Sequence, residues 1–242
     1  NDGLMTYCVA TMIEEGMVFA SDSRTNAGVD NVSTFKKMAI FEQPGDRVIV
    51  IVNSGNLGIT QATLSHLKQA IKRDDGSPHL MNVASMYDAA ELVGHALRDV
   101  GISDGPHLLR SNIDSSANFI IGGQIGRERM RLFLVYSEGN FIEATEDTPY
   151  FQIGETKYGK PVIDRIMQSG ASMSDAVKCV LVSFDSTMRS NLSVGLPIDL
   201  CVYERDALAV TRVRRFGVKD EYMRALSYQW SEGLRRAFQS VP

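Results

Sequence analysis

Apolar and polar positions first alternate and then fill in short blocks. Residues 5–13 read as a strand, Glu14-Glu15-Gly16 supplies a turn with glycine where a positive φ is convenient, and residues 17–21 resume the strand pattern. A β-hairpin is predicted. After a polar connection over 22–34 come two further strands, 36–42 and 47–53, around the turn Gln43-Pro44-Gly45-Asp46. The period then becomes helical over 57–73, with Leu57, Thr60, Leu64, Leu67 and Ile71 on one face, and again over 85–100, with Ala89, Leu92, Val93, Ala96 and Leu97. A second strand block covers 117–122, 130–137, 141–145 and 150–153. Helices at 157–169 and 173–188, strands at 198–205 and 207–214, and a helix at 220–238 complete the pattern.

Strands in blocks, rather than singly between helices, argue against a doubly wound parallel sheet and for antiparallel sheets covered by helix pairs. The expectation is an α+β fold, a four-layer αββα sandwich, with residues 6–242 as one domain. At 242 residues a sizeable core is available without disulfides. Lys and Arg number 25 against 29 Asp and Glu, a net charge of −4, which suggests no nucleic-acid partner. Cys8, Cys179 and Cys201 are far apart and have neither CxxC nor zinc spacing, so a reducing, cytoplasmic setting is expected. The longest aliphatic run, 48–52, is far below the ~20 residues of a membrane span, and no signal peptide is read at the start. The four histidines are scattered without metal spacing. Gly122-Gly123 with Gly126 reads as a hairpin turn, and Arg212, Arg214 and Arg215 as a solvated or intersubunit face.

The first hairpin brings chemistry together. If Glu14-Glu15 closes it, with or without Gly16, the ladder sets Thr6 opposite Ser23 or Arg24, and Asp22 lies beside Thr6. Lys37 arrives on the next strand. A threonine hydroxyl is a poor nucleophile until a base takes its proton, and the α-amine of the same residue can do so when that residue begins the chain. Such an amine has a reference pKa of about 7.7–8.0, which a neighbouring ammonium lowers. Lys37 would supply that field, and Asp22 would hold the lysine in a cleft. Each residue alone is ordinary structure; their coincidence points to nucleophilic hydrolysis.

Thr6, Phe19-Ala20-Ser21-Asp22-Ser23-Arg24, Ala27-Gly28, Lys36-Lys37 and Asn53-Ser54-Gly55 resemble, in order and spacing, the proteasome β-subunit family. Tyr136-Ser137-Glu138-Gly139 and Ile153-Gly154 fit the same frame. Thr6-Tyr7-Cys8-Val9-Ala10 and the segments 21–30 and 152–161 are similar, more closely, to the bacterial ancestral β-subunit group, Anbu. The resemblance implies a threonine-type peptide hydrolase that acts on peptide or unfolded protein, without metal or organic cofactor, and assembles as a homo-oligomer, in a ring or an open helical array. It implies that Thr6 is the nucleophile and that Asp22 and Lys37 tune it. Gly55 would present its N–H to the oxyanion, where a side chain would obstruct the approaching carbonyl. Ser193 would support the threonine amine. Thr25, Phe35, Asn53 and Leu57 would line the substrate pocket; none is charged, so no strong preference for a basic or acidic side chain is expected.

Two positions depart from the family pattern. The serine expected after Gly154 is Glu155, and the aspartate expected three residues before Ser193 is Ser190. A carboxylate at 155 stabilises an ammonium and so opposes its use as a base. A weakly active or non-catalytic scaffold subunit is therefore the alternative reading, with a small-molecule amidase as a third. Residues 1–5 precede Thr6 and, while attached, leave its nitrogen an amide without a basic lone pair. They are expected to be an expression remnant or a propeptide.

Overall fold

The computed structural model of the chain describes residues 6–26, 32–73 and 75–242. The elements run β1 (Tyr7–Ile13), β2 (Gly16–Asp22), β3 (Arg24–Asn26), β4 (Val32–Thr34), β5 (Met38–Gln43), β6 (Arg47–Gly55), α1 (Leu57–Arg73), α2 (Met86–Arg110), β7 (Ala117–Ile125), β8 (Arg131–Val135), β9 (Phe141–Glu143), β10 (Tyr150–Gly154), α3 (Lys160–Ile166), α4 (Met173–Ser190), β11 (Ile198–Glu204), β12 (Arg212–Phe216) and α5 (Glu221–Ser240). One five-stranded sheet has the order β10-β1-β2-β11-β12 and the other β5-β6-β7-β8-β9; β3 and β4 form a separate pair. All pairings are antiparallel.

Three apolar layers hold this stack. Cys8, Ala10, Met17 and Phe19 of the first sheet meet Val48, Val50, Val52 and Ile120 of the second. The opposite face of the first sheet (Val9, Val18, Ala20, Leu200) packs on α4 through Val180, Leu181 and Phe184. The outer face of the second sheet (Ile49, Ile51, Phe119, Ile121) packs on Ile59 and Leu67 of α1 and Ala89, Val93 and Leu97 of α2. Burial of each large apolar side chain contributes about 1.5–3 kcal/mol. The result is the expected αββα sandwich. Gly122 lies within the inter-sheet contact, where a Cβ would meet Met17, Leu132 and Phe19.

Several expected boundaries move for identifiable reasons. Helix α2 runs ten residues beyond 100, through Gly101, Gly105 and Pro106, until the Ser111 N–H closes on the Leu108 carbonyl. Helix α3 is shorter than expected because residues 156–159 form a turn, in which the Lys160 N–H bonds the Thr156 carbonyl. The strand expected at 207–214 begins only at Arg212. Residues 206–211 are irregular, with Asp206 at φ 62° and Leu208 at φ 45°, and their N–H groups bond to Gln124 and to the Tyr203 hydroxyl. The connection 22–34 contains β3 and β4. Gly122 and Gly123 lie within β7, and only Gly126 is at a turn.

Candidate active site

The β1–β2 register pairs Ile13 with Gly16 and Cys8 with Ser21, so Glu14-Glu15 alone closes the hairpin and the ladder, extended, sets Thr6 against Ser23. Asp22, the last residue of β2, thereby reaches the start of β1. The Thr6 hydroxyl donates to Asp22 Oδ1 and accepts from Lys37 Nζ at 2.5 Å. Asp22 Oδ1 also accepts from the Tyr7 N–H at 3.1 Å and from Lys37 Nζ at 3.0 Å. Lys37 completes its set with the Arg24 carbonyl at 2.8 Å, so three acceptors match the three hydrogens of an ammonium. Lys37 lies just ahead of β5, not on a strand as expected. It is held there by Asn53, whose N–H and side-chain amide both bond the Lys37 carbonyl, at 3.1 and 3.0 Å.

All three side chains are buried: Thr6 is 3%, Asp22 0% and Lys37 6% exposed. Burial pushes the Asp22 carboxyl above its ordinary value, and the Lys37 ammonium, the Thr6 hydroxyl and the Tyr7 N–H pull it back down. The Cys8 thiol under the site is pushed up strongly by burial, with Asp22 adding to the rise, and donates to the Asn53 carbonyl. It remains a protonated, inert filler.

A small cleft opens over this group, lined by Thr6, Lys37, Asn53, Ser54, Gly55, Leu57 and Thr60. Gly55 sits at φ 104°, and a Cβ there would drive into the Ser116 carbonyl. Glycine is thus required by the close approach of Ser116 and Ala117 at the start of β7, whatever occupies the cleft. Of the expected pocket walls, Asn53 and Leu57 line the cleft. Phe35 does not; it is half-buried and anchored by its N–H to the Ser23 carbonyl. The Thr25 side chain and the Ala27-Gly28 pair lie outside the described residues.

The positions meant to support an amine are rearranged. Glu155 is 3% exposed, and its N–H bonds the Thr6 carbonyl at 2.7 Å. Its carboxylate accepts from Asn191 Nδ2 at 2.9 Å and lies 3.4 Å from Lys157 Nζ. Asn191 Oδ1 in turn accepts from the Ser193 N–H at 2.9 Å. Asn191 therefore links the two support positions, a role its sequence context did not signal. The Ser193 hydroxyl makes no bond to Thr6 among the described residues, and Ser190 is exposed at the end of α4. Arg215, on the edge strand β12, donates to Ser23 at 2.8 Å and so braces the same corner. Among the described residues no group of three or more His, Cys, Asp or Glu side chains converges as a metal site, and no helix is long and apolar enough to cross a membrane.

No family model and no curated protein matches the chain. Solved structures do. The chain is 47% identical to Anbu (ancestral β-subunit) from Yersinia bercovieri, covering 98% of this chain and 97% of that one with a TM-score of 0.91. It is 51% identical to Anbu from Hyphomicrobium sp. strain MC1, covering 98% of both chains, TM-score 0.88. It is 47% identical to the Pseudomonas aeruginosa protein solved as a helical assembly of the Anbu complex, covering 98% and 97%, TM-score 0.92. With about half of all positions identical across nearly the whole of each chain, on a shared proteasome-like fold of the N-terminal-nucleophile hydrolase type, the chain belongs to the Anbu family.

Proposed function

We propose that this protein, once its chain begins at Thr6, is an N-terminal threonine peptidase that works as one subunit of a homo-oligomer in the cytoplasm. The observation that carries the reading is the Thr6 hydroxyl held between the Lys37 ammonium and Asp22 Oδ1 at the mouth of a cleft. Residues 1–5 are, on this reading, a segment to be removed, and residues 6–242 the working domain. The free α-amine takes the hydroxyl proton as Oγ1 bonds the scissile carbonyl carbon, and the Gly55 N–H faces the oxyanion, a donation worth about 2.7–4 kcal/mol in the transition state. Collapse breaks the C–N bond, and the amine returns the proton to the leaving nitrogen. Water then attacks the Thr6 ester with the amine again as base, releasing the acid and restoring the hydroxyl. Lys37 keeps the amine neutral by its charge, and Asp22 holds Lys37 and the hydroxyl in line. A thiol-preserving compartment agrees with three buried free cysteines. Self-assembly is supported by the helical assembly of the Pseudomonas aeruginosa relative.

The scaffold reading rests on Glu155 and Ser190: the Glu155 N–H bonds the Thr6 carbonyl while its carboxylate is engaged by Asn191 and Lys157, and Ser190 is exposed at the end of α4. Intact mass separates the two. A chain beginning at Thr6, treated with a peptide β-lactone, is expected to gain one acyl group on Thr6 and to hydrolyse peptide amides. No adduct on that chain under any condition of pH overturns the peptidase reading in favour of the scaffold.

A further inference from the structure

The residue after Thr6 is held by its side chain as well as by the sheet. Tyr7 is 0% exposed, on the helix side of the first sheet, with its ring 4.6 Å from that of Phe184. Its hydroxyl lies 2.9 Å from Ser183 Oγ and 2.6 Å from Gln152 Nε2. The direction of this chain follows by elimination. The single Ser183 hydroxyl hydrogen is committed to the Val180 carbonyl at 2.6 Å, so Tyr7 must be the donor to Ser183. Gln152 Nε2 can only donate, so the Tyr7 oxygen is its acceptor. Gln152 on β10, Tyr7 on β1 and Ser183 on α4 thus form one ordered line, with no donor or acceptor exchanged. Gly159 completes the seat, since a Cβ at 159 would collide with the Tyr7 hydroxyl.

The main chain of the same residue is fixed as well. Its N–H bonds Asp22 Oδ1, and the carbonyl preceding it, that of Thr6, accepts the Glu155 N–H. A chain that begins at Thr6 ends its sheet contacts one residue beyond this seat, where strand ends ordinarily fray. We propose that Tyr7 is a positioning residue for Thr6: its buried phenol, gripped by Ser183 and Gln152, is the anchor that holds a free terminal threonine against Asp22 and Lys37. This rests on the peptidase reading for its catalytic consequence, but the anchoring is measurable without it.

The test compares the chain beginning at Thr6 with its Tyr7→Phe variant, which keeps the ring contact with Phe184 and removes only the hydroxyl, and with Ser183→Ala, which removes the acceptor. Acylation by a peptide β-lactone is followed as a maximal rate and a half-saturation concentration. The expected result is a maximal rate at least about tenfold lower in both variants at unchanged half-saturation, because a misplaced nucleophile loses rate rather than binding. The double variant is expected to lose little more than either single one. In parallel, the Glu155 N–H, which reports whether the Thr6 carbonyl is seated, is expected to exchange with solvent at least about tenfold faster in Tyr7→Phe while amides in the middle of β11 are unchanged. Glu155 exchange at the original rate overturns the proposal, as does acylation at the original maximal rate. If the unsubstituted chain takes no acyl group at all, the peptidase reading fails, and the exchange measurement still decides the anchor.

Discussion

Two buried aspartates stand on adjoining strands at the same end of the first sheet, and their surroundings differ sharply. Asp22, at the end of β2, meets an ammonium, a hydroxyl and a main-chain N–H on one oxygen. Asp199, on β11 and 5% exposed, has among the described residues Arg215 at 3.7 Å and no such donors on either oxygen, its Oδ2 being without a hydrogen-bond partner as that of Asp22 is; Ser21, opposite it in the ladder, has a buried hydroxyl without one. Burial raises both carboxyls, opposed at Asp199 only by the charges of Arg215 and Lys36. The same desolvation is thus opposed by close donors at one corner and by a loose field at the other. Dense, reciprocal bonding distinguishes the corner that holds the candidate nucleophile.

The largest break in that contrast is Lys37→Ala. It strands Asp22 in the interior and is expected to cost about 3–5 kcal/mol in urea unfolding, with β-lactone adduct on Thr6 abolished. A loss below about 1 kcal/mol would make the Asp22 corner no more committed than that of Asp199. Next is Gly55→Ala, which forces a Cβ at φ 104° into the Ser116 carbonyl; a loss of about 1–3 kcal/mol with slower adduct formation is expected. Asp199→Asn should have the opposite sign. A carboxyl whose folded value is raised contributes stability below its ordinary value of 3.8 and loses it as pH rises through the folded value. The asparagine variant is therefore expected to melt slightly higher than the parent at pH 7 and to lose that advantage below pH 3.8. A lower melting temperature at pH 7 would mean that Arg215 compensates Asp199 fully.

The smallest effect belongs to a control far from both corners. Glu143 accepts from Arg131 Nε at 2.8 Å and from its terminal nitrogen at 2.7 Å, and these bonds hold its carboxyl below the ordinary 4.5. Glu143→Gln is expected to cost about 0.2–1 kcal/mol above pH 4.5 and progressively less as pH falls through the lowered value, read from melting curves. Acylation of Thr6 should not change.

What the sequence made legible was local. Helix α1 begins and ends where its periodicity does, although Ile59 and Thr63 are buried in place of Leu64 and Ile71. The hairpin turn alone was enough to bring Asp22 beside Thr6. The helix expected over 85–100 continues through Gly101, Gly105 and Pro106, its apolar face being already committed to the sheet through Val93, Leu97 and Val100. Residues 207–211 read as the start of a strand, but bonds from the Asp206 and Leu208 N–H groups to Gln124 and Tyr203 hold this stretch irregular. Tyr7 and Asn191 carried no signal, since their partners at Ser183, Gln152 and Glu155 are brought near only by the finished stack of layers.

In this chain Thr6 is the sixth residue, and its hydroxyl already touches Asp22 and Lys37. The side-chain half of the candidate site is therefore assembled while the Thr6 nitrogen is still an amide. On the peptidase reading, a free nitrogen at Thr6 adds the one missing group, the base, to side chains that are already in contact with one another.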